Sequence, residues 1–418
     1  MPRYLARTAD QEMRDLLRAT GCVVIEGVRG CGKTTTAREF SASEVLLDIN
    51  DDARHLAAAD PAEVLRGPTP RLIDEWQLEP RIWNHVRRTV DDRRAVGQFI
   101  LTGSALPSDD ATRHTGMRRI VRLRLRPMSL HESGRSSGAI SLGRLLAGEA
   151  PAAGDHTIPV GEVAELICRG GWPESVDWPL RRALRANRSQ VDDVARADIR
   201  TVDGVRRDPQ RVRLLLRSLA RNVGTAVATS KLIADVGARD NGSMKPHTAA
   251  DYLDALARIM IVENQPAWAT HLRSRAVLRK RPVRHFVDPS LAVAALGTGP
   301  ERLLRDFRFL GLLFESMVVR DLRVYAQAAD AEVFHYREGG RLEVDAVVKG
   351  RDGRWAAFEV KLGPRAVEEG ARNLLRLAER VDPDVVGPPR ALGVIVAGGY
   401  GHVRPDGVGV IPIAALGP

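Results

Sequence analysis

The chain has 418 residues, enough for two to four domains that each bury a core. Hydrophobic content of 44% and charged content of 28% exclude a disordered or fibrous chain, and no apolar run approaches the roughly 18 residues that a membrane span needs. Lys+Arg 63 against Asp+Glu 53 leaves +10 with only six lysines, a balance that draws the protein to phosphate polyanions, whether nucleic acid or an acidic membrane surface.

In chain order, residues 1–20 carry amphipathic helical spacing and Cys22–Glu26 is a short apolar strand that runs into a glycine-rich turn. Further strand-like runs at Glu44–Ile49, Arg71–Ile73, Gln98–Thr102 and Ile120–Leu125 alternate with helical segments such as Arg81–Asp92. That alternation predicts a parallel sheet covered on both faces. The polar Ser133–Asp155 stretch reads as an insertion or linker, Val160–Arg258 as almost wholly helical, and Glu332–Leu362 as a return to alternating strands.

The turn Gly27-Val28-Arg29-Gly30-Cys31-Gly32-Lys33-Thr34 fits GxxxxGK[ST], between an apolar strand and the helix predicted for Thr34–Phe40. Its glycines let backbone N–H groups turn inward around a phosphate at the positive helix end; Lys33 reaches the terminal phosphates and Thr34, followed by Thr35, holds Mg²⁺. ATP with Mg²⁺ is the expected ligand. The next apolar strand ends in Asp74 and Glu75: the first suits the metal's water shell, the second a base that polarises an attacking water. Thr102 and Ser104, ending another strand, are placed to touch the terminal phosphate or that water. An arginine from Arg113–Arg119, with Arg119 ahead of Arg118, could neutralise transition-state charge, and such a finger often comes from a second copy in a homo-oligomer.

Farther along, helix, short helix, turn and helix from Val212 to Leu256, then strand-like Ile259–Val262, suit a winged helix-turn-helix. The candidate recognition helix carries His247, Thr248 and Asp251 with only Lys245 basic nearby, so DNA contact and a purely structural role both stay open. Near the end, Glu343 and Asp345 share one face of a strand, and Glu359 and Lys361 one face of the next. A three-residue loop, Arg351-Asp352-Gly353, would set Asp345 opposite Glu359; a two-residue Asp352-Gly353 turn would throw the acids onto opposite faces. If they share a face, Asp345 and Glu359 can hold Mg²⁺ and Lys361 can position a water, the D…ExK arrangement of nucleases, with Glu315 on a preceding helix as an additional metal contact. Surface pairing of the same residues is the alternative. Trp172, Pro173, Trp268 and Phe286 read as core or hinge rather than base-stacking platforms.

Cys22, Cys31 and Cys168 form no CxxC or Cys/His cluster, so neither a disulfide framework nor a zinc site is expected. With no signal-peptide core in MPRYLARTADQEMRD, the expected location is the cytoplasm.

Taken in order, GVRGCGKT, LIDEWQ, FILTGSA, RHTGMRRI, LRLRPMSLHESG, GGWPE, DYLDALARI, FVDPSLA, GLLFESMVVRDL and EVDAVV…FEVK resemble the prokaryotic AAA-type ATPases that carry a C-terminal domain of unknown function. The resemblance implies an α/β chain with an AAA-like P-loop domain (1–132), a linker and helical segment (133–200), a winged-helix-like domain (201–290) and a restriction-endonuclease-like α/β domain (291–418). It implies an ATPase coupled to nucleic-acid binding or processing, or an ATP-switched regulatory or assembly protein whose nuclease-like end is inactive. One departure stands out: the family usually has glycine just before the final arginine of the finger segment, where this chain has Arg118.

Overall fold

The computed structural model describes residues 4–103, 116–200, 204–238, 244–270, 280–338 and 342–418. It divides into two compact units: one of residues 1–127, 197–206 and 254–261, the other of residues 128–196, 207–253 and 262–418.

The first unit is built on five strands, β1 (Cys22–Glu26), β2 (Ser43–Leu46), β3 (Arg71–Asp74), β4 (Phe99–Gly103) and β5 (Ile120–Arg124), in the order β2-β3-β4-β1-β5. Every neighbouring pair is parallel, as strands separated by helical crossovers must be. The central strands are apolar on both faces; Cys22, Val24, Ile73, Phe99 and Leu101 form a core with Trp76, Trp83 and Val86. The first helix is Asp10–Ala19, so residues 4–9, which the spacing assigned to helix, are a non-helical arm. Parallel pairing fixes a polarity. Cys22 lies beside Ile120 and Glu26 beside Arg124, so the turn after β1 opens at the carboxyl ends of the strands and residues 116–119, just before β5, lie at the amino ends.

In the second unit β6 (Ile140–Ser141), β7 (Gly154–Asp155), β8 (Val262–Gln265) and β9 (Val283–Phe286) precede β10 (Ala331–Glu338), β11 (Leu342–Gly350), β12 (Trp355–Lys361), β13 (Ala391–Val396), β14 (Tyr400–Val403), β15 (Gly409–Pro412) and β16 (Leu416–Gly417). Seven of them make one mixed sheet, β10-β11-β12-β13-β15-β14-β7. The Ser133–Asp155 stretch, read as an insertion or linker, is stitched into this unit: β6 pairs with β16, β7 with β14, and the buried Ser136 hydroxyl donates to the Leu416 carbonyl at 2.6 Å. The helices Pro209–Arg221, Thr229–Gly237 and Pro246–Arg258 are followed by β8 and β9, an antiparallel pair.

Four of the motif segments converge on one buried ion cluster. Arg320, 3% exposed, donates to Asp288 Oδ2 at 2.7 Å and to Asp321 Oδ1 at 2.8 Å, and both aspartates are fully buried. Asp288 also accepts the Gly171 and Ser290 amides, each at 2.9 Å, and Asp321 the Leu130 amide at 3.1 Å. Burial raises the Asp321 carboxyl while Arg320 pulls it back. A buried charge is tolerated only when paired and hydrogen-bonded, and here the segments around Ser129, Gly171, Asp288 and Arg320 satisfy each other.

Candidate nucleotide and carboxylate sites

After β1 the chain turns through Gly30 (φ 83°) and Gly32 (φ 101°), left-handed conformations that suit glycine, and enters the helix Lys33–Phe40. Gly27 has no room for a side chain, since a Cβ there would lie 2.2 Å from the Leu125 carbonyl oxygen. Val28 and Cys31 are buried, Arg29, Gly30 and Thr35 exposed. Lys33, 6% exposed, folds back to donate to the Gly27 and Val28 carbonyls at 2.9 and 3.2 Å. Its ammonium thus sits inside the loop it would share with a phosphate.

Thr34 Oγ1 donates to Asp74 Oδ1 at 2.8 Å, and Thr102 donates to the same oxygen. The pairing of β1 with β4 puts Ile25 beside Thr102, and that of β3 with β4 puts Ile73 beside Leu101, so three strand ends deliver these groups to one point. Glu75 follows with φ 54°, a left-handed turn that few glutamates adopt, and its carboxylate accepts the Gln77 side-chain amide. Ser104 lies outside the described residues.

Arg119 is elsewhere. It precedes β5, its carbonyl accepts the Cys22 amide at 3.0 Å, and its guanidinium pairs with Asp91 at 2.7 Å. It therefore sits at the opposite end of the strands from the phosphate turn, about 13 Å away along β1, and does not reach that turn within its own unit. Arg118 has φ 64°. The position where glycine was expected is thus one whose backbone favours it.

Sequence reasoning missed the support under the turn. Arg7, 6% exposed, donates to the Cys31 carbonyl at 2.9 Å and to the Arg126 carbonyl at 2.6 Å. Asp10 accepts the Arg7 amide at 2.9 Å and the Tyr4 hydroxyl at 2.6 Å. At the tip, Arg29 pairs with Asp198 at 3.1 Å, an aspartate that lies far along the chain but belongs to the same unit.

In the second unit the loop at Arg351–Gly353 has three residues: the Gly350 amide donates to the Arg354 carbonyl at 2.8 Å and Gly353 takes φ 87°. The register pairs Ala346 with Phe358, so continuing it sets Asp345 against Glu359. There the ladder ends: the Val360 amide donates to Asp345 Oδ2 at 2.8 Å. Glu359, 2% exposed, pairs with Lys361 at 2.8 Å and accepts Asn373 at 3.3 Å from the helix Val367–Arg380. Burial, then the neighbouring Asp345, push the Glu359 carboxyl up to about 8 against the pull of Lys361. Asp345 is raised by burial, and Glu315, on the helix Phe307–Ala328, is raised well by burial and by Asp345, Glu343 and Glu359. All three carboxyls are thus raised, chiefly by burial, with Lys361 acting the other way. Among the described residues, however, no three such side chains are gathered as a metal cluster. Asp345 and Glu359 interact through their side chains, Glu315 acts on both electrostatically, and Glu359 also meets Lys361 and Asn373 while Asp345 accepts the Val360 amide.

Residues 19–134 match the family model described as AAA domain. Residues 161–302 and 310–416 match two domains of unknown function, DUF8612 and DUF4143. No curated protein matches the chain. Among solved structures, a variant of RuvB from Thermotoga maritima is 18% identical over 62% of this chain and 86% of its own, with a TM-score of 0.25. A STAND-type signal transduction ATPase from Pyrococcus horikoshii is 12% identical over 78% of this chain and 48% of its own (TM-score 0.22). The Drosophila ORC bound to DNA is 13% identical over 69% and 84% (TM-score 0.19). Scores this low transfer neither fold detail nor activity. No helix among the described residues is long and apolar enough to cross a membrane.

Proposed function

We propose that the protein is a Mg²⁺-dependent ATPase that couples nucleotide turnover to the binding or processing of nucleic acid. The observation that carries this reading is Asp74 Oδ1, held by both the Thr34 and the Thr102 hydroxyls at the mouth of the phosphate turn. Magnesium bound there would neutralise phosphate charge and orient the terminal phosphoryl group. Lys33 and the turn's amides bind the phosphates, Glu75 orients the attacking water, and Arg119 serves a site on a second copy. Replacing Glu75 with glutamine tests the assignment: the variant should bind ATP and fail to turn it over, whereas wild-type turnover removes Glu75 as the base.

On this reading residues 291–418 are restriction-endonuclease-like. Asp345 and Glu359 hold Mg²⁺, which keeps several waters and needs only one or two carboxylates, Glu315 biases them electrostatically, and Lys361 orients the nucleophilic water. The second reading is an ATP-switched regulatory or assembly protein with an inactive nuclease-like end, in which Glu359 and Lys361 serve as a structural ion pair. Plasmid DNA with Mg²⁺ or Mn²⁺ separates them: nicking that is lost in Asp345→Ala and Lys361→Ala supports cleavage, and no nicking by wild type supports the switch. On either reading residues 201–290 are winged-helix-like and the protein is cytoplasmic.

A further inference from the structure

The positive charge of this chain is concentrated. The helices Leu180–Arg196 and Pro209–Arg221, 30 residues together, carry nine arginines against two aspartates, a net of +7. The whole chain carries +10. A general preference for arginine explains many arginines anywhere; it does not explain the scarcity of acids in these two helices.

The arginines are also ordered in space. At about 100° per residue, Arg181, Arg185 and Arg188 fall on one arc of the first helix, and all three are exposed. Asp192 continues that arc and pairs with Arg213 of the second helix at 2.8 Å, which ties the two surfaces together. Arg217 and Arg221 follow Arg213 at one and two turns and are exposed. Among the described residues, none of Arg181, Arg185, Arg188, Arg217 and Arg221 has a carboxylate partner. Asp193 is the other acid on the first helix, and Arg182 stacks over the Trp178 ring at 3.6 Å.

We propose that this arginine face is where the protein holds nucleic acid, through sequence-independent contacts to phosphodiester oxygens. The proposal rests on the nucleic-acid reading above and gives it a surface. An extended row of planar guanidinium forks matches a repeating phosphate backbone. The helix Pro246–Arg258, the expected recognition helix, is less suited: Arg207 grips its Asp251 with bonds of 3.0 and 2.8 Å, and Asp254 adds a further negative charge. A lipid surface fits the arginine face poorly, because its exposed arc lacks the Trp, Phe and Leu that seat such a helix among acyl chains.

The test is fluorescence anisotropy of a labelled random-sequence DNA duplex with the full chain across a salt series. The Arg181→Gln/Arg185→Gln/Arg188→Gln variant is compared with Arg18→Gln/Arg54→Gln/Arg66→Gln, which makes the same change in net charge elsewhere. The arginine-face variant should bind about 10–1,000-fold more weakly at low salt, with a salt slope shallower by roughly 2–3. The control should stay near wild type, and ATP binding should be unchanged in both. Equal losses in the two variants, or a wild-type slope in the first, would overturn the surface. Loss of binding to anionic vesicles with DNA binding retained would overturn it in favour of lipid. Absence of DNA binding by wild type at low salt overturns the nucleic-acid reading, and this surface with it.

Discussion

Thr34 Oγ1 lies 2.8 Å from Asp74 Oδ1, joining the start of one helix to the end of β3 across a neighbouring strand. Both groups are oxygen ligands that suit Mg²⁺. Thr34→Ala should therefore weaken binding of ATP with Mg²⁺ by about 10–100-fold, and binding of metal-free ATP much less. Calorimetric titration with and without EDTA checks it; equal losses under both conditions would remove Thr34 from the metal.

Arg7 should act as a positioning residue for the phosphate turn, since it fixes the Cys31 carbonyl without facing the phosphate position itself. Arg7→Ala is expected to lower ATP affinity, and Arg7→Lys to restore it only in part because one ammonium cannot span both the Cys31 and Arg126 carbonyls. Thermal melts in the absence of nucleotide separate this from general instability: affinity should fall further than stability explains.

Breaking the buried triad should unfold the second unit selectively. Asp288→Ala leaves Arg320 with only Asp321 and orphans the Gly171 amide, a loss of about 3–5 kcal/mol. Denaturant melts should show the shift while ATP binding by the first unit persists; an unchanged midpoint would contradict the pairing.

Arg118→Gly relieves a left-handed residue and should stabilise the first unit by about 1 kcal/mol. Arg94→Gly, at φ 50°, serves as a second probe of the same effect. A melting temperature that falls in both would contradict the backbone argument.

The carboxylate site predicts a pH dependence. A carboxyl raised from 4.5 to about 8 binds more protons folded than unfolded, so its contribution to stability is present below 4.5 and is lost as pH rises towards 8. Glu359→Gln should flatten that fall, and wild-type affinity for Mn²⁺ should rise with pH over the same window, with protons released on binding. An identical pH profile for wild type and Glu359→Gln would remove Glu359 as the titrating group.

What the sequence disclosed followed chemical locality. Lys33, Thr34, Asp74 and Thr102 are legible because a phosphate turn and the ends of parallel strands need fixed residue types at fixed spacing. The position of Arg119 was also within reach: a residue that precedes a strand parallel to β1 must lie at the end of the strands away from the turn after β1. The pairing of Asp345 with Glu359 hung on loop length, and three loop residues decided it. Arg7, Asn373 and the triad of Asp288, Arg320 and Asp321 were not legible as partners, because the groups they satisfy are brought near only by tertiary packing. The motif segments around Gly171 and Asp288 did carry a signal, small and charged residues within apolar runs, but it does not say which segment meets which.

The most direct test of the central claim is calorimetric titration of ATP with Mg²⁺ into wild type and Lys33→Ala. Wild type should bind one nucleotide per chain, and the variant, deprived of the ammonium held inside the turn, should show no measurable binding at matched concentrations. Equal affinity in the two proteins would contradict the nucleotide site and the account built on it.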